Sequence, residues 1–568
     1  ARATNRISPA VTVYDLGQNA SLMPRLRVRG PAGSSVRIIP AELVDTNGLA
    51  DRSSCGRGVA YWKYTLAGKG SETWFPKFYY HGARYLQVEC ETPAGAELPV
   101  LESLEGVVVH ADAEPVGDFE CSNELFNRIR KLVRWAQRSN MMSVMTDCPH
   151  REKLGWLEED HLNGPALRYE FDLSRVFTKI LNDMADSQLP DGLVPDIAPE
   201  YVEFNGGFRD SPEWGSACVL VPWQQYLFNG DVELLRRYFP VMEAYVAYLG
   251  SRATNHIVSH GLGDWYDLGP NPPGYAQLTP AALTATAFYY YDAWVLSEAA
   301  KLLGKPREAR EYRQLAQAIG RAFNEAFFHP TGSNAAPGSP ALPGYASGSQ
   351  CANAIPLVMD LVPAKSRAGV LGSLVVDVRS RGNALTAGDV GYRYLLRALA
   401  DGGRSDVIFD MNNQSEKPGY GYQLKQGATS LTEAWDARRE SSHNHFMLGQ
   451  ITEWFYHDLA GIQPDPAAPG FKKVIIRPAI VGDLTWVRAS YRSLYGPIVS
   501  HWRRDGRTLS LSVTLPPNTT ATVLGPAAPG ATVTERLHDG KPLQPLRRDP
   551  QGVAFQIPSG HYEFRSTL

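Results

Sequence analysis

The fold is decided where the stretch Ser122-Asn123-Glu124-Leu125-Phe126-Asn127 follows a long region of strand-like sequence. Serine is a residue type that begins helices, because its side chain accepts a hydrogen bond from a free N–H group of the first turn. Apolar residues then recur with the spacing of one helix face, at Leu125, Ile129, Leu132 and Trp135. This stretch predicts a change from a β region to a helical region.

Helical spacing continues from this point to about residue 461. The intervening loops are rich in Gly, Pro and aromatic residues, as in GDWYDLGPNPPG at 263–274. Many helices joined by long loops favour helical hairpins closed into an (α/α) barrel, with the loops at one end forming the functional site. We expect helices at 166–186, 217–228, 232–250, 280–303, 306–327, 363–379, 389–400 and 444–459.

The sequence on both sides of the helical region has the short alternating pattern of strands. Glycine and proline punctuate these strands, which favours an antiparallel sandwich at each end. The expected strands lie at 11–17, 25–33, 35–39, 84–89, 473–478 and 509–515, and the segment PDPAAPG at 464–470 is expected to be a linker. The resulting domains are 1–117, 118–463 and 464–568.

The composition is that of an ordinary soluble globular protein. The 56 basic and 59 acidic residues nearly balance, which argues against nucleic acid or an anionic membrane as the main partner. No apolar run approaches the roughly 18 residues of a membrane span. The six cysteines form no C-x-x-C pair, so we expect no structural zinc. We assign no metal ligands and no cofactor from the sequence.

Three loop segments combine carboxylates with aromatic residues: 147–160, 263–267, and 432–436 with the nearby histidines at 443 and 445. Glycoside chemistry needs one acid to protonate a leaving oxygen, one carboxylate to activate water or attack carbon, and a ring to hold the sugar. The same residue types also cap helices and cover surfaces. The pattern alone therefore indicates a glycan enzyme only weakly.

A more specific signal is Asp147-Cys148-Pro149-His150-Arg151-Glu152-Lys153-Leu154-Gly155-Trp156. It resembles the D-C-P-x-R to L-G-W motif of the α-L-rhamnosidases of glycoside hydrolase family 78. Supporting matches occur in the order of that family at 13–19, 214–215, 263–265, 427–435, 444–449, 453–456 and 495–499. The resemblance covers nearly the whole chain.

The resemblance implies an (α/α)6 barrel catalytic domain flanked by N- and C-terminal antiparallel β-sandwich domains. It also implies release of terminal α-L-rhamnose by inverting hydrolysis, with a rhamnose-capped glycan as the partner and the oligomeric state left open. We expect a secreted or periplasmic bacterial enzyme. No signal peptide is visible, and the start Ala1-Arg2-Ala3 without Met indicates a processed or truncated form.

Carried over by position, Glu152 corresponds to the general acid and Glu433 to the general base. Inversion needs these carboxyls roughly 6.5–9.5 Å apart so that a water fits. Asp147 and Arg151 would bind rhamnose hydroxyls or orient Glu152, and His445 would bind a hydroxyl. Further sugar contacts would come from Trp156, Trp214, Asp264, Trp265, and either Glu159 or Asp160. Cys148 is expected to be a small buried residue.

The chain departs from the family pattern within the expected sugar site. The first motif is one residue short, so aligning from its left end puts Lys153 at the acid position and aligning from Leu154 puts Glu152 there. Glu152 is preferred, because a lysine cannot serve as a carboxylic acid. The usual W-G-D-A has Ser216 in place of the acid, and Thr432 stands where Trp is frequent.

These departures leave two alternatives open. One is a lyase that removes rhamnose from the 4-position of glucuronate by β-elimination, which needs a base and a group that neutralises the uronate carboxylate. Besides Arg151, the candidates for those parts are His150, Lys153, Tyr420, Tyr422 and His443. The other alternative is an inactive glycan-binding homologue, as Ser216 would favour, although Glu152 and Glu433 are both retained.

Overall fold

The computed structural model describes residues 2–56, 58–331, 342–528, 533–536, 543–549 and 552–568. The chain divides into two compact units. The first unit comprises Ala1–Asp112, Ile129–Gly155 and Ser415–Leu448, and the second comprises Ala113–Arg128, Trp156–Gln414 and Gly449–Leu568. Helix Glu124–Asn140, predicted from the opening stretch, has residues in both units.

An antiparallel sheet forms the core of the first unit. Strand Val11–Arg29 pairs with Ala3–Arg6, Ser71–Trp74, His81–Glu91 and Val100–Val108. Beyond His81–Glu91 the sheet continues through Ser35–Ala41 to Trp62–Thr65, and Leu43–Val44 pairs separately with Ala50–Asp51. Burial of apolar side chains stabilises the sheet by roughly 25 cal/mol per Å² of area removed from water. The core includes Leu26, Val28, Val36, Ile38 and Leu86.

Strand Val11–Arg29 is longer than predicted, since separate strands were expected at 11–17 and 25–33. Gly17 has a left-handed backbone (φ 81°), and the pairing with His81–Glu91 shifts register between Asp15 and Ala20. The Gly17 N–H donates to Asp15 Oδ1 at 2.7 Å. This bulge bends the strand and lets it continue beyond Gly17.

Helices make up most of the second unit between residues 156 and 459, and the helical character predicted for this region is confirmed. A typical junction has Gly230 (φ 70°) ending one helix and Asp231 capping the next by accepting from the Leu234 N–H at 3.0 Å. The described helices of this unit are Glu158–Leu162, Gly164–Glu170, Ser174–Ser187, Pro212–Gly215, Ala217–Asn229, Val232–Arg252, Ala281–Leu302, Pro306–Phe327, Gln350–Val358, Arg367–Ser380, Asp389–Asp401, Ser405–Asn412 and Ile451–Trp454.

Strands beyond residue 461 form a sheet of the second unit together with Gly117–Cys121. The pairing runs from Gly117–Cys121 through Trp486–Ser493, Gly496–Asp505 and Thr508–Pro526 to Gly552–Thr567. The sheet also contains Ile462–Pro464, Lys473–Ile476, Thr534–Arg536 and Arg547–Asp549, and a separate short hairpin joins Phe328–His329 to Gly344–Tyr345. Because Lys473–Ile476 pairs in parallel with Thr508–Pro526, this sheet is mixed, and the prediction of a purely antiparallel C-terminal region was wrong. Pro464 ends a strand that pairs with Lys473–Ile476, so the segment predicted as a linker connects two strands of one sheet.

Two helix predictions were wrong in their bounds. The predicted helix 166–186 is interrupted at Phe171, which has an extended backbone and bridges to Pro115. Of the predicted helix 444–459, only Ile451–Trp454 is α-helical, followed by a π-helical turn at Phe455–Leu459. The His445 N–H donates to the Leu431 carbonyl at 2.9 Å, which commits this backbone to a distant segment instead of a helix.

All six cysteines are unpaired thiols. Among the described residues, no helix is both long enough and apolar enough to cross a lipid bilayer.

Candidate active site

The loop that follows Asp147 in the first unit is closed by Asp147 itself. The Asp147 N–H donates to the Leu154 carbonyl at 3.0 Å, and Asp147 Oδ1 accepts from the Leu154 N–H at 3.0 Å. Burial and, secondly, the charge of Glu152 raise the pKa of Asp147 well above its usual range. Asp147 thus shapes the loop that carries Arg151 and Glu152. Cys148 is fully buried, as predicted.

Arg151 links the two carboxyl groups selected from the sequence. Its Nε donates to Glu152 Oε1 at 3.1 Å, and its Nη2 donates to Glu433 Oε1 and Oε2 at 2.7 and 2.8 Å. Burial acts to lower the pKa of Arg151, but the surrounding acidic groups, Glu433 first among them, together outweigh burial and the pKa is raised. The two carboxyls differ in access, because the Glu152 side chain is 38% exposed and that of Glu433 is 7% exposed.

Glu433 is held by the segment that follows it. The Glu433 N–H donates to the Ser442 carbonyl at 2.9 Å, and the Ser442 N–H donates back to Glu433 Oε2 at 2.8 Å. Three hydrogen bonds from N–H donors therefore reach this carboxyl, counting those of Arg151. Such donors favour the ionised form of a carboxyl group.

A fully buried acid from the β sheet region, Glu42, lies beneath the same loops of the first unit. Its carboxylate accepts from Asn19 Nδ2 at 2.9 Å, Ser54 Oγ at 2.8 Å and the His443 N–H at 2.9 Å. His150 Nε2 lies 3.2 Å from Glu42 Oε2 and 2.9 Å from the Ser54 carbonyl. Glu42 therefore connects the loop that contains Arg151 with the segment that holds Glu433.

Of the histidines in this region, His150 and His445 are buried and His443 contacts the backbone. Burial lowers the pKa of His445 to about 4, and burial also lowers the pKa of His150. His443 Nε2 lies 3.1 Å from the Arg438 carbonyl. A neutral His445 can bind a sugar hydroxyl but carries no charge at neutral pH.

The remaining candidates for elimination chemistry are engaged in structural contacts. Lys153 donates to the Tyr80 carbonyl at 2.7 Å and lies 4.5 and 4.1 Å from the ring centroids of Tyr79 and Tyr80, and burial lowers its pKa to about 8. The Tyr420 hydroxyl donates to the Leu448 carbonyl inside the protein. Tyr422 is half-buried on helix Tyr420–Lys425.

The first unit also brings three potential metal ligands together. One ligand atom each from Asp147, Cys148 and Glu152 lies within 4.8 Å of the others. Metal binding needs deprotonated ligands, whereas burial raises the pKa of both Asp147 and Cys148 well above their usual values. This set does not suit a divalent cation.

The second unit contains a cluster of half-buried aromatic rings that includes both predicted sugar-contacting loops. Trp156 stacks on Phe204 with ring centroids 5.4 Å apart, and Phe208 meets Trp265 edge-on at 5.5 Å. Tyr275 packs against Trp265 at 5.7 Å and is 56% exposed. Flat apolar rings of this kind suit the apolar face of a sugar.

Several buried acids lie in the second unit. Asp264 accepts from the Gly388 and Gly391 N–H groups at the start of helix Asp389–Asp401, and burial raises its pKa to about 7. Burial also raises the pKa of Glu213 to about 7 and places those of Glu158 and Asp389 well above their usual range. Neutral carboxyl groups of this kind can donate hydrogen bonds.

The other predicted contacts of this unit are deeply buried. Glu159, Asp160 and Trp214 are each at most 2% exposed. Ser216, which replaces the acid of the family motif, donates to Asp292 Oδ2 at 2.6 Å. The carboxyl of Asp292, on helix Ala281–Leu302, therefore lies beside residue 216, the position at which the family motif has an acid.

Sequence reasoning missed Glu42, Phe204, Phe208, Glu213 and Asp389. Each is a single residue of a common type, and apart from Glu213, which directly precedes the family match at 214–215, none lies within or next to a recognised motif. The nearest signal is the spacing of Phe204 and Phe208, which lie in a Gly- and aromatic-containing loop of the kind singled out elsewhere.

A helical body between β-rich segments, with two carboxyls on one guanidinium and a set of half-buried rings, is typical of glycoside hydrolases. The chain matches the bacterial alpha-L-rhamnosidase concanavalin-like domain over residues 5–110 and the corresponding 6 hairpin glycosidase domain over 114–459. The bacterial alpha-L-rhamnosidase C-terminal domain matches 461–538. The chain belongs to the bacterial alpha-L-rhamnosidase family.

Individual relatives agree with this membership. An alpha-L-rhamnosidase of Streptomyces avermitilis is 33% identical over 93% of this chain and 49% of its own length. The solved alpha-L-rhamnosidase from Dictyoglumus thermophilum has a TM-score of 0.91 at 31% identity, covering 100% of this chain and 63% of that one. The Streptomyces avermitilis enzyme complexed with L-rhamnose has a TM-score of 0.88 at 31% identity, covering 100% and 53%. The chain thus spans about half to two thirds of the length of these relatives.

Proposed function

We propose that this chain releases terminal α-L-rhamnose from oligosaccharides or polysaccharide side chains by inverting hydrolysis. Glu152 is the general acid that protonates the departing glycosidic oxygen, and Glu433 is the general base that activates water. The observation that carries this proposal is the Arg151 guanidinium, which hydrogen-bonds to both carboxyls. Relatives named alpha-L-rhamnosidase, one of them complexed with L-rhamnose, support the choice of sugar.

The surroundings of the two carboxyls support this division of roles. A general base must be ionised, and Glu433 accepts three hydrogen bonds from N–H donors. A general acid must reach the glycosidic oxygen, and Glu152 is the more exposed of the two. In this proposal Asp147 sets the shape of the Glu152 loop, and neutral His445 accepts or donates a hydrogen bond to a rhamnose hydroxyl.

The remaining parts of the proposal concern the fold and the sugar contacts. Trp156 and Trp265 line the apolar face of rhamnose, including its methyl group, and Asp264 supports this site from the start of a helix. The helical region is an (α/α)6 barrel between two β-sandwiches, with domains at 1–117, 118–463 and 464–568. The enzyme acts outside the cytoplasm, where glycan polymers are found.

Elimination is not favoured by the contacts of its candidate groups. His150 is enclosed by Glu42 and Ser54, and the Tyr420 hydroxyl is bonded to a carbonyl inside the protein. Neither is placed as a free base for proton abstraction. Retention of the Arg151 contacts to Glu152 and Glu433 likewise speaks against an inactive binding protein.

The product of a rhamnose-capped oligosaccharide tests the proposal. Hydrolysis yields free rhamnose and an intact, saturated acceptor, detected by chromatography and mass spectrometry. Rhamnose together with an unsaturated uronate that absorbs in the ultraviolet would replace hydrolysis with elimination. Measurable binding without any product would leave only the glycan-binding homologue.

A further inference from the structure

A cavity of about 430 Å³ in the second unit lies apart from every residue assigned to hydrolysis. It is lined by helical residues between 168 and 229 and by strand and turn residues between 491 and 496. Its polar lining residues are Arg168, Asp172, Ser174, Gln225, Asn229, Tyr491, Arg492 and Ser493. A pocket of this size accommodates a small ligand such as a monosaccharide.

Arg168 is the unusual member of this lining, because it is 4% exposed and bonded only to neutral groups. Its Nε donates to Gln225 Oε1 at 3.1 Å, its Nη1 to Gln224 Oε1 at 3.0 Å and its Nη2 to the Val221 carbonyl at 3.3 Å. The guanidinium also lies 4.0 Å from the centroid of the Phe177 ring. The guanidinium has five N–H donors. Its hydrogen bonds to described residues use three of them, which leaves one N–H on each terminal nitrogen.

The charge of Arg168 has no ionised partner at hydrogen-bonding distance in the described chain. Burial lowers the pKa of Arg168 to about 9, so the side chain is still a cation at neutral pH. The acid whose charge acts most strongly on it is Asp160, which lies beyond hydrogen-bonding distance. A buried charge without a counter-ion is costly, and a bound anion would offset that cost.

We propose that this cavity binds the carboxylate of an acidic pyranose sugar, with Arg168 as the anion-binding group. The two remaining N–H donors match the two oxygens of a carboxylate, the pairing for which a guanidinium is best suited. Gln225 already accepts from Arg168, Asn229 donates to the Ser174 hydroxyl, and that hydroxyl donates to Asp172, so it is the remaining hydrogen-bonding capacity of these polar groups that suits sugar hydroxyls. Tyr495, which is 37% exposed, also lines the cavity, and Lys472 lies 5.0 Å from its ring centroid.

Two other charged groups of the lining are already engaged. Asp172 is exposed and accepts from the Ser174 N–H at 3.1 Å and the Ser174 hydroxyl at 2.6 Å. Arg492 pairs with Glu114 at 2.6 Å near the surface. Arg168 is therefore the buried cation of this lining, whereas Arg492 is a surface cation with a carboxylate partner. This site goes beyond the proposed hydrolysis and requires neither Glu152 nor Glu433.

Isothermal titration calorimetry of the full chain with D-glucuronate and D-galacturonate tests this site. D-glucose and D-galactose are the neutral matches, and inorganic phosphate and sulfate are the other anions. We expect a uronate to bind at least about tenfold more tightly than its neutral match, equal to about 1.4 kcal/mol. Equal affinity for both would overturn the proposal, as would phosphate or sulfate binding without uronate binding.

Variants assign the binding to this cavity. Arg168→Met should remove the preference for the uronate, whereas Arg488→Met, an exposed arginine paired with Glu120, should leave it unchanged. If Arg168→Met does not fold, Asn229→Asp places a negative charge in the lining and should weaken uronate binding alone. Unchanged uronate binding by the folded variants would contradict the site. Repeating the titration with Glu433→Gln separates failure of this site from failure of the proposed hydrolysis.

Discussion

Buried acids of the two units have pKa values that are shifted in opposite directions. In the first unit, burial acts to raise the pKa of Glu42, but His150 and the donors of His443 and Asn19 outweigh it and lower the pKa. In the second unit, burial raises the pKa of Glu213 to about 7, because the opposing effects of Thr284 and His260 are smaller than that of burial. Burial is common to both sets, so the groups that contact each carboxyl decide its charge.

This difference assigns the two sets different chemical tasks. An ionised carboxylate such as Glu433, held by Arg151 and a backbone N–H, can accept a proton from water. A carboxyl whose pKa is raised towards neutral pH, such as Glu213, donates hydrogen bonds in its protonated form. The proposed base, Glu433, is the carboxyl of the first unit that accepts hydrogen bonds from Arg151 and the Ser442 N–H.

Removing the ionised acid should have the largest effect. Glu433→Gln keeps the shape of the side chain but cannot accept a proton, so kcat on an aryl α-L-rhamnoside should fall by about 10³-fold or more. Glu440→Gln, an exposed acid seven residues further on, is the matched control and should retain full turnover. Full activity of Glu433→Gln would refute its assignment as the base.

Changing the shared cation should have the next largest effect. Arg151→Lys keeps the positive charge but lacks the planar fork that reaches both Glu152 and Glu433, so kcat should fall by about 10²-fold. The exposed Arg439→Lys serves as the control for the chemistry of the substitution. If Arg151→Lys turned over at the normal rate, positive charge alone would suffice and the bridging geometry would be irrelevant.

Glu42 should act on catalysis through the loops that it joins. Glu42→Gln replaces a carboxylate that only accepts hydrogen bonds with an amide whose NH2 group faces the donors of Asn19, Ser54 and His443. The loops should therefore be held less well, and kcat should fall by roughly tenfold with KM nearly constant. Glu105→Gln, at an exposed position of the same sheet, is the control and should be unchanged. A Glu42→Gln enzyme that loses thermal stability but turns over normally when folded would reduce Glu42 to a purely structural role.

The smallest effect should appear in the pH dependence of stability. A carboxyl with a raised pKa contributes stability that is fully present below its unfolded value near 4.5 and is lost as pH rises towards about 7. Glu213→Gln removes this loss, so its Tm relative to the unmodified protein should increase by roughly 2–4 °C between pH 4.5 and 7.5. For the exposed Glu203→Gln, the Tm difference from the unmodified protein should not change with pH. If the Tm difference of Glu213→Gln were also independent of pH, the pKa of Glu213 would not be raised in the folded protein.

The fold was largely predictable, because periodicity and turn residues carry local information. Most of the predicted helices between 217 and 400 lie within a few residues of their observed bounds, and the residue that caps helix Val232–Arg252 follows a glycine, as helix junctions require. The failures came where distant contacts override local preference. Residues 444–450 have helical character in sequence, but the His445 backbone bonds to Leu431 instead.

The site was predictable only where a motif reports it. The motif around Glu152 was recognisable from the sequence. The hydrogen bond from Arg151 to Glu433 joins residues that are far apart in the chain, and no local pattern encodes such a pairing. Glu42 is a lone acid between two short apolar stretches, and its partners His150 and His443 are more than one hundred residues away. A buried polar network of this kind depends on tertiary packing.

The stereochemistry of the first product tests the central claim most directly. Proton NMR can follow the anomeric signal of rhamnose while an aryl α-L-rhamnoside is consumed, before mutarotation mixes the anomers. If Glu433 activates water on the face opposite to Glu152, β-L-rhamnose should appear first and α-L-rhamnose only later. Initial release of α-L-rhamnose would contradict this account of the Arg151-linked carboxyls.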